Sequence, residues 1–247
     1  MPARPGETLA LWEALASTSP VARGAAVLVA LGAADGLADA VRMPVATAAR
    51  AALGELRERA GPQVQTVLTC PDCGAVLDVP LLLDELLELF DGTDPTDVVP
   101  AAAGGGAVTV DGVVVRGPTT EDLLVAIASP QPSTALRDRC VTWPAGMAAA
   151  TLDPAVQERV SAAVEELAGA SALAVRLDCP DCGGDVAAEV DAVALLADRV
   201  ADEVRDLLAD VAELAMAFGW SEADVLRLSD ARRRAYLDLA RSRGGAR

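Results

Sequence analysis

Cys70, Cys73, Cys140, Cys179 and Cys182 are the residues with the most distinctive chemistry, and four of them sit in two identical strings. Cys70-Pro71-Asp72-Cys73-Gly74 recurs as Cys179-Pro180-Asp181-Cys182-Gly183. Two thiolates separated by two residues converge from one tight turn, and the glycine after the second cysteine lets backbone amides approach the sulfurs. Two such turns complete a tetrahedral four-sulfur site for one metal ion, with Cys70, Cys73, Cys179 and Cys182 as ligands. A site with four protein ligands has no open position and is structural, and the donor set reads first as zinc, one ion per chain. Three other readings stay open: iron in a rubredoxin-like site, a pair of Cys-x-x-Cys redox disulfides, and an empty site. Cys140 reads as a small buried hydrophobe.

The rest of the composition excludes much chemistry. There is no histidine in the 247 residues, so Ser-His-Asp and Cys-His catalysis and His-ligated zinc are ruled out. Acidic residues number 37 against 20 arginines, a net charge of −17, which opposes binding to a phosphate backbone. Asp84, Glu85 and Glu88 read as a solvated helix face. Gly104-Gly105-Gly106 lacks the Lys-Ser/Thr of a phosphate loop. No carboxylate pair stands out as catalytic. The uncharged stretch 24–34 is too short to span a bilayer, and Glu7 and Glu13 spoil a signal peptide, so a soluble cytoplasmic protein is expected. With aromatics at 2%, the core must be built from Ala, Val and Leu.

The elements that must position the cysteines are legible from periodicity. Apolar residues at helical spacing predict helices over 7–16, from Pro20 to about Leu31 with Ser19 as N-cap, and over 44–60. Alternation over 64–79 predicts strand, knuckle, strand. A short helix over 81–90 and a loop over 91–106 follow, then a hairpin over 108–115 turning at Asp111-Gly112. Helices are expected over 119–128, capped by Thr119 with Asp122, over 133–141, and from Asp153-Pro154 to about Ala168. A second strand–knuckle–strand covers 172–190. One long helix runs over 191–218, its seam of Val193, Leu196, Val200, Val204, Leu207, Val211, Leu214 and Phe218 packing within its own domain, with an intermolecular coiled coil as the alternative. Helices over 221–228 and 230–241, the latter capped by Ser229, close the chain.

An ordinary zinc ribbon leaves about 15–20 residues between its cysteine pairs, whereas Cys179 lies far downstream of Cys73. The ribbon is therefore split. The expected fold is α+β and mostly helical: an N-terminal helical bundle (1–62), a split four-cysteine zinc ribbon (63–80 and 172–190), an inserted β-hairpin and helix segment (81–171), and a long C-terminal helix with a two-helix cap (191–247).

The order of these features resembles the zinc-knuckle baseplate proteins of contractile phage tails and phage-like contractile injection systems, relatives of the T-even phage baseplate hub assembly proteins. The resemblance rests on Leu11-Trp12-Glu13, the two CPDCG strings, Arg116-x-Pro118 with Asp122-Leu123, and Arg139-Cys140-Val141. It continues through Leu214-Ala215, Phe218-Gly219-Trp220-Ser221-Glu222, Asp224-Val225-Leu226, Arg232-Arg233 and Tyr236-Leu237. In that family an aromatic-rich stretch follows the second knuckle and a histidine lies in the long helix; here 194–200 has no aromatic and Ala212 holds the histidine position. The resemblance implies a non-enzymatic role with no small-molecule substrate: a structural or assembly component of the baseplate or hub, in the bacterial cytoplasm or in a tail-like particle, with other baseplate, hub and spike proteins as partners. Trp220, Arg232, Arg233 and Tyr236 are the expected partner-facing residues. The alternative is a zinc-ribbon adaptor or regulator binding protein or nucleic acid; Asp72, Asp78, Asp178, Asp181 and Asp185 around the knuckles oppose the basic face it predicts.

Overall fold

Short apolar side chains and abundant alanine favour helix wherever no turn signal intervenes, and the described residues are about 61% helical with small antiparallel sheets, an α+β fold. A computed structural model describes residues 4–91, 98–99, 107–144, 153–169 and 173–244. The chain divides into two units, 14–196 and 1–13 with 197–247.

The elements follow in order: α1 (Pro5–Ala16), a 3-10 turn (Pro20–Ala22), α2 (Arg23–Ala30), α3 (Leu37–Ala40), α4 (Val45–Ala60), β1 (Gln63–Thr69), β2 (Val76–Leu82) and α5 (Leu83–Asp91). Then come β3 (Val98–Val99), β4 (Ala107–Val110), β5 (Val113–Arg116), α6 (Thr120–Ile127), α7 (Pro132–Cys140), β6 (Val141–Thr142) and α8 (Pro154–Gly169). The last are β7 (Leu173–Asp178), β8 (Asp185–Val190), α9 (Ala192–Phe218), α10 (Glu222–Leu226) and α11 (Asp230–Gly244).

Three local expectations change. The second helix begins as a 3-10 turn, and the Ser19 side chain makes no cap hydrogen bond. The helix expected from residue 81 starts at Leu83, because β2 pairs with β1 to its last residue, Leu81 opposite Val64 and Leu82 opposite Gln63. The helix expected to residue 141 stops at Cys140, because Val141 and Thr142 pair with β5. The predicted loop over 91–106 lies largely outside the described residues, with β3 within it.

In the larger unit, α2 crosses α4 closely enough that a Cβ on Gly24 would stand 2.9 Å from the Cβ of Ala48. Ala25, Leu28, Ala40 and Ala48 form the core there. The hairpin β4–β5 turns through Asp111 (φ 51°) and Gly112 (φ 80°), the paired left-handed residues of a type I′ turn. It is the centre of a four-stranded sheet ordered β3-β4-β5-β6. Val113, Val115, Cys140, Val141, Val160 and Val164 pack together beneath it. The β1–β2 and β7–β8 pairs are separate two-stranded antiparallel sheets.

Asp122, 1% exposed, ties this unit together. Its carboxylate accepts from Arg116 at 2.5 Å and 3.2 Å, from Arg139 Nε at 2.8 Å, and from the backbone N–H and hydroxyl of Thr119 at 3.0 Å and 2.8 Å. The Thr119 hydroxyl accepts the Asp122 N–H in return, completing a capping box on α6. Burial alone would raise the Asp122 carboxyl; the Arg116 and Thr119 hydrogen bonds outweigh it and hold the group below the usual carboxylate range.

In the smaller unit, α9 buries Val200, Val204, Leu207 and Leu214, half of the expected seam, while Val211 and Phe218 are half-buried. Leu214, Val225 and Leu237 form a core where α9, α10 and α11 meet, with Phe218, Trp220 and Tyr236 against it. Ser221 caps α10 through a reciprocal pair of bonds with Asp224.

Candidate metal centre

β1 and β2 run in register until Thr69 faces Val76, so the six residues between must reverse the chain. They do so as a knuckle. The Cys70 N–H donates to Ala75 O at 2.9 Å and the Gly74 N–H to Cys70 O at 3.0 Å, with Gly74 at φ 74°. The second turn repeats this bond for bond. The Cys179 N–H donates to Gly184 O at 2.8 Å and the Gly183 N–H to Cys179 O at 2.8 Å, with Gly183 also at φ 74°. An L side chain rarely adopts this left-handed conformation, which is why each string ends in glycine.

The two turns bring their thiols together across more than a hundred residues of chain. Cys70 Sγ lies 3.7 Å from Cys182 Sγ, and Cys73 Sγ lies 3.7 Å from Cys179 Sγ. The first cysteine of one turn thus meets the second of the other, as an approximate two-fold axis requires. All four sulfurs lie within 4.8 Å of one another. A tetrahedron with metal–sulfur bonds of about 2.3 Å has sulfur–sulfur edges of about 3.8 Å, which the cross-turn pairs match. The cysteines are free thiols, so the tetrad could hold a metal ion.

Electrostatics favour a cation among them. The N–H of Cys73 is the largest influence on Cys70 and draws its thiol down to about 7. At Cys182 the Gly184 N–H pulls the same way, but the thiols of Cys73 and Cys70, with burial, push it up to about 12. One thiol ionises readily while those of Cys73 and Cys182 resist, and a bound divalent cation eases that conflict by offsetting two of the four thiolate charges.

Around the tetrad the first cysteine of each turn is buried and the second exposed. Leu77 and Val186, each four residues beyond the second cysteine of its turn, are buried beside Cys70 and Cys179, with Leu68 and Leu177 packed against them. A two-stranded hairpin is marginal on its own in water, and this core is small, so an ion bound by both turns would contribute strongly to holding them.

The turns differ at one position that the repeated string does not reveal. The residue after the knuckle glycine is Ala75 in the first turn and Gly184 in the second. A Cβ on Gly184 would overlap the Asp72 carboxylate of the opposite turn and stand 3.4 Å from Cys182 Sγ. A side chain at Gly184 requires the exposed Asp72 carboxylate to swing aside.

The other singled-out residues lie elsewhere. Cys140 is fully buried among Val113, Val115 and Val160, and burial pushes its thiol up to about 11. Trp220 is stacked on Phe218 at 5.0 Å and meets Tyr236 edge-on at 4.8 Å, both rings half-buried. Arg233 turns inward, its side chain 13% exposed, pairing with Asp210 at 3.1 Å and Asp230 at 2.9 Å. Arg232 is exposed. The Asp122 cluster joins three segments singled out in sequence, Arg116-x-Pro118, Asp122-Leu123 and Arg139-Cys140; the sequence showed Asp122 as the capping partner of Thr119 but not its pairing with Arg116 and Arg139.

The sequence matches no family model, no characterised protein and no solved structure. Among the described residues, no helix is long and apolar enough to cross a membrane.

Proposed function

We propose that the chain is a non-enzymatic structural or assembly component of the baseplate or hub of a contractile phage tail or contractile injection system, held together by one structural zinc. The observation that carries the zinc is the four-thiol tetrad, whose cross-turn spacing fits a tetrahedral ion. Cys70, Cys73, Cys179 and Cys182 are the ligands. All four positions are taken by protein, so the ion fastens β1–β2 to β7–β8 and activates no water. Iron accepts the same donor set, and elemental analysis separates the two.

The baseplate assignment rests on the resemblance in motif order. Protein partners suit the chemistry better than nucleic acid, since Asp72, Asp78, Asp178, Asp181 and Asp185 around the thiols are all exposed. Trp220, Tyr236 and Arg232 are of the residue types that dominate protein interfaces, and with Arg233, held by Asp210 and Asp230, they form the proposed partner-facing tail.

The test is co-expression with the baseplate, hub and spike proteins of the same gene cluster, followed by affinity capture and mass determination. A defined complex with at least one of them, weakened by Arg232→Ala or Trp220→Ala, supports the proposal. Metal-loaded, folded protein that associates with none of them would refute the baseplate role and leave the metal site standing.

A further inference from the structure

Away from the thiols, the larger unit carries a groove of about 460 Å³ between the 3-10 turn and α2, α4, α6 and the end of β8 leading into α9. Its depth follows from small residues. Gly24, Ala48 and Ala49 line it, and the close crossing at Gly24 and Ala48 leaves no large side chain to fill the space. Val21, Val45 and Val193 add apolar wall.

The fourth side is α6, which leaves Leu124, Val125 and Ile127 exposed. It turns Asp122 and Ala126 inward, while Ile127 lines the groove at 62% exposure and Leu124 beside it is 41% exposed. An apolar helix face left open next to an apolar groove is the arrangement that receives an amphipathic helix.

Charge selects the occupant. The charged residues lining the groove are Glu189 and Asp191, both exposed, at the β8 end. Residues 14–196 hold 25 of the 37 acidic residues but only 10 of the 20 arginines. We infer that this groove is a docking site for an amphipathic helix of a partner protein, with an apolar face against α4 and α6 and Lys or Arg flanking it toward Glu189 and Asp191. The inference goes beyond the structural role of the metal and does not depend on the baseplate assignment.

The test is fluorescence polarisation with the full chain and labelled synthetic peptides of about 14 residues, some four helical turns. One has a Leu face and Lys elsewhere, the second keeps the Leu face with Glu replacing Lys, and the third keeps Lys with Gln replacing Leu. The Leu/Lys peptide is expected to bind and the other two to bind at least about tenfold more weakly, a difference of about 1.4 kcal/mol. Ile127→Arg is expected to weaken the Leu/Lys peptide by a similar factor, and Glu189→Arg by a smaller one. Val67→Arg, an exposed site on β1 with the same change of charge as Ile127→Arg, should leave binding unchanged. Ile127 is exposed enough that its variant keeps the fold, checked by circular dichroism and metal content; Ala49→Leu, which fills the groove, is the second probe. No binding of the Leu/Lys peptide, equal binding of the Lys/Gln peptide, or an Ile127→Arg variant that binds as the parent does would overturn the inference. Uptake of a small apolar dye without peptide binding would overturn it in favour of a small apolar ligand.

Discussion

Replacing Asp122 tests the reasoning about the larger unit most sharply, because one carboxylate there serves two arginines and a helix cap. Breaking a buried ion pair costs about 3–5 kcal/mol. Here the Arg116 and Arg139 side chains are 37% and 36% exposed, so water rehydrates them when the partner is lost. That moves the ion-pair loss toward or below the bottom of the range, and loss of the capping box adds about 1 kcal/mol. The expected cost is about 3 kcal/mol for Asp122→Ala and about 2 kcal/mol for Asp122→Asn, which keeps one acceptor oxygen. At about 2–4 °C per kcal/mol, Asp122→Ala should lower Tm by roughly 6–12 °C.

The pH dependence follows from the same contacts. The carboxyl is depressed in the folded protein, so its contribution is fully present above its unfolded value of about 3.9 and is lost as pH falls through the lower folded value. The stability difference between parent and Asp122→Asn, from urea unfolding, should therefore be flat from about pH 5 to pH 8 and close only below about pH 4. A cost for Asp122→Ala no larger than that of Thr119→Ala would show that the carboxylate acts only as a cap, and a difference that closes near neutral pH would refute the assignment of the ionised form.

Other outcomes are expected nearer the thiols and in the C-terminal cap. Gly184→Ala should weaken metal retention in a chelator competition, and Asp72→Ala in the same chain should restore it; failure of that rescue would show that the overlap with Asp72 is not the cause. Cys140→Ala should leave metal content unchanged, and in the native parent Cys140 should resist iodoacetamide at pH 8, followed by peptide mass mapping, because its thiol is buried and pushed up to about 11. Arg233→Ala should lower the thermal midpoint by removing both ion pairs to Asp210 and Asp230, whereas Arg232→Ala, on an exposed position, should not.

What sequence reading captures here is whatever repeats or is local. The doubled CPDCG string marks the four thiols that the fold brings together, Asp111-Gly112 marks the hairpin turn, and the apolar seam from Leu196 to Leu214 marks the buried stripe of α9. Each of these is set by a short window whose residue types have one strong physical preference. The missed strand ends come from pairings that a window cannot contain. Leu81 and Leu82 fit a helix by their own pattern and are strand because Val64 and Gln63 hold them. Val141 and Thr142 are too few to show a period, and they become strand because β5 offers an edge. The exchange between Asp72 and Gly184, and the convergence of Arg116 and Arg139 on Asp122, depend on which distant segments the fold places together. Only the difference between Ala75 and Gly184 in otherwise matching turns hinted at the first of these.

The central claim is that one metal ion fastens the two hairpins. Elemental mass spectrometry of the purified, reduced protein, set beside Cys70→Ser and Cys179→Ser, tests it directly. The account predicts one zinc per chain in the parent, lost in both variants together with thermal stability, because each removes a ligand from a different turn. Freshly prepared, reduced protein that carries no metal and melts at the same temperature as both variants would contradict it.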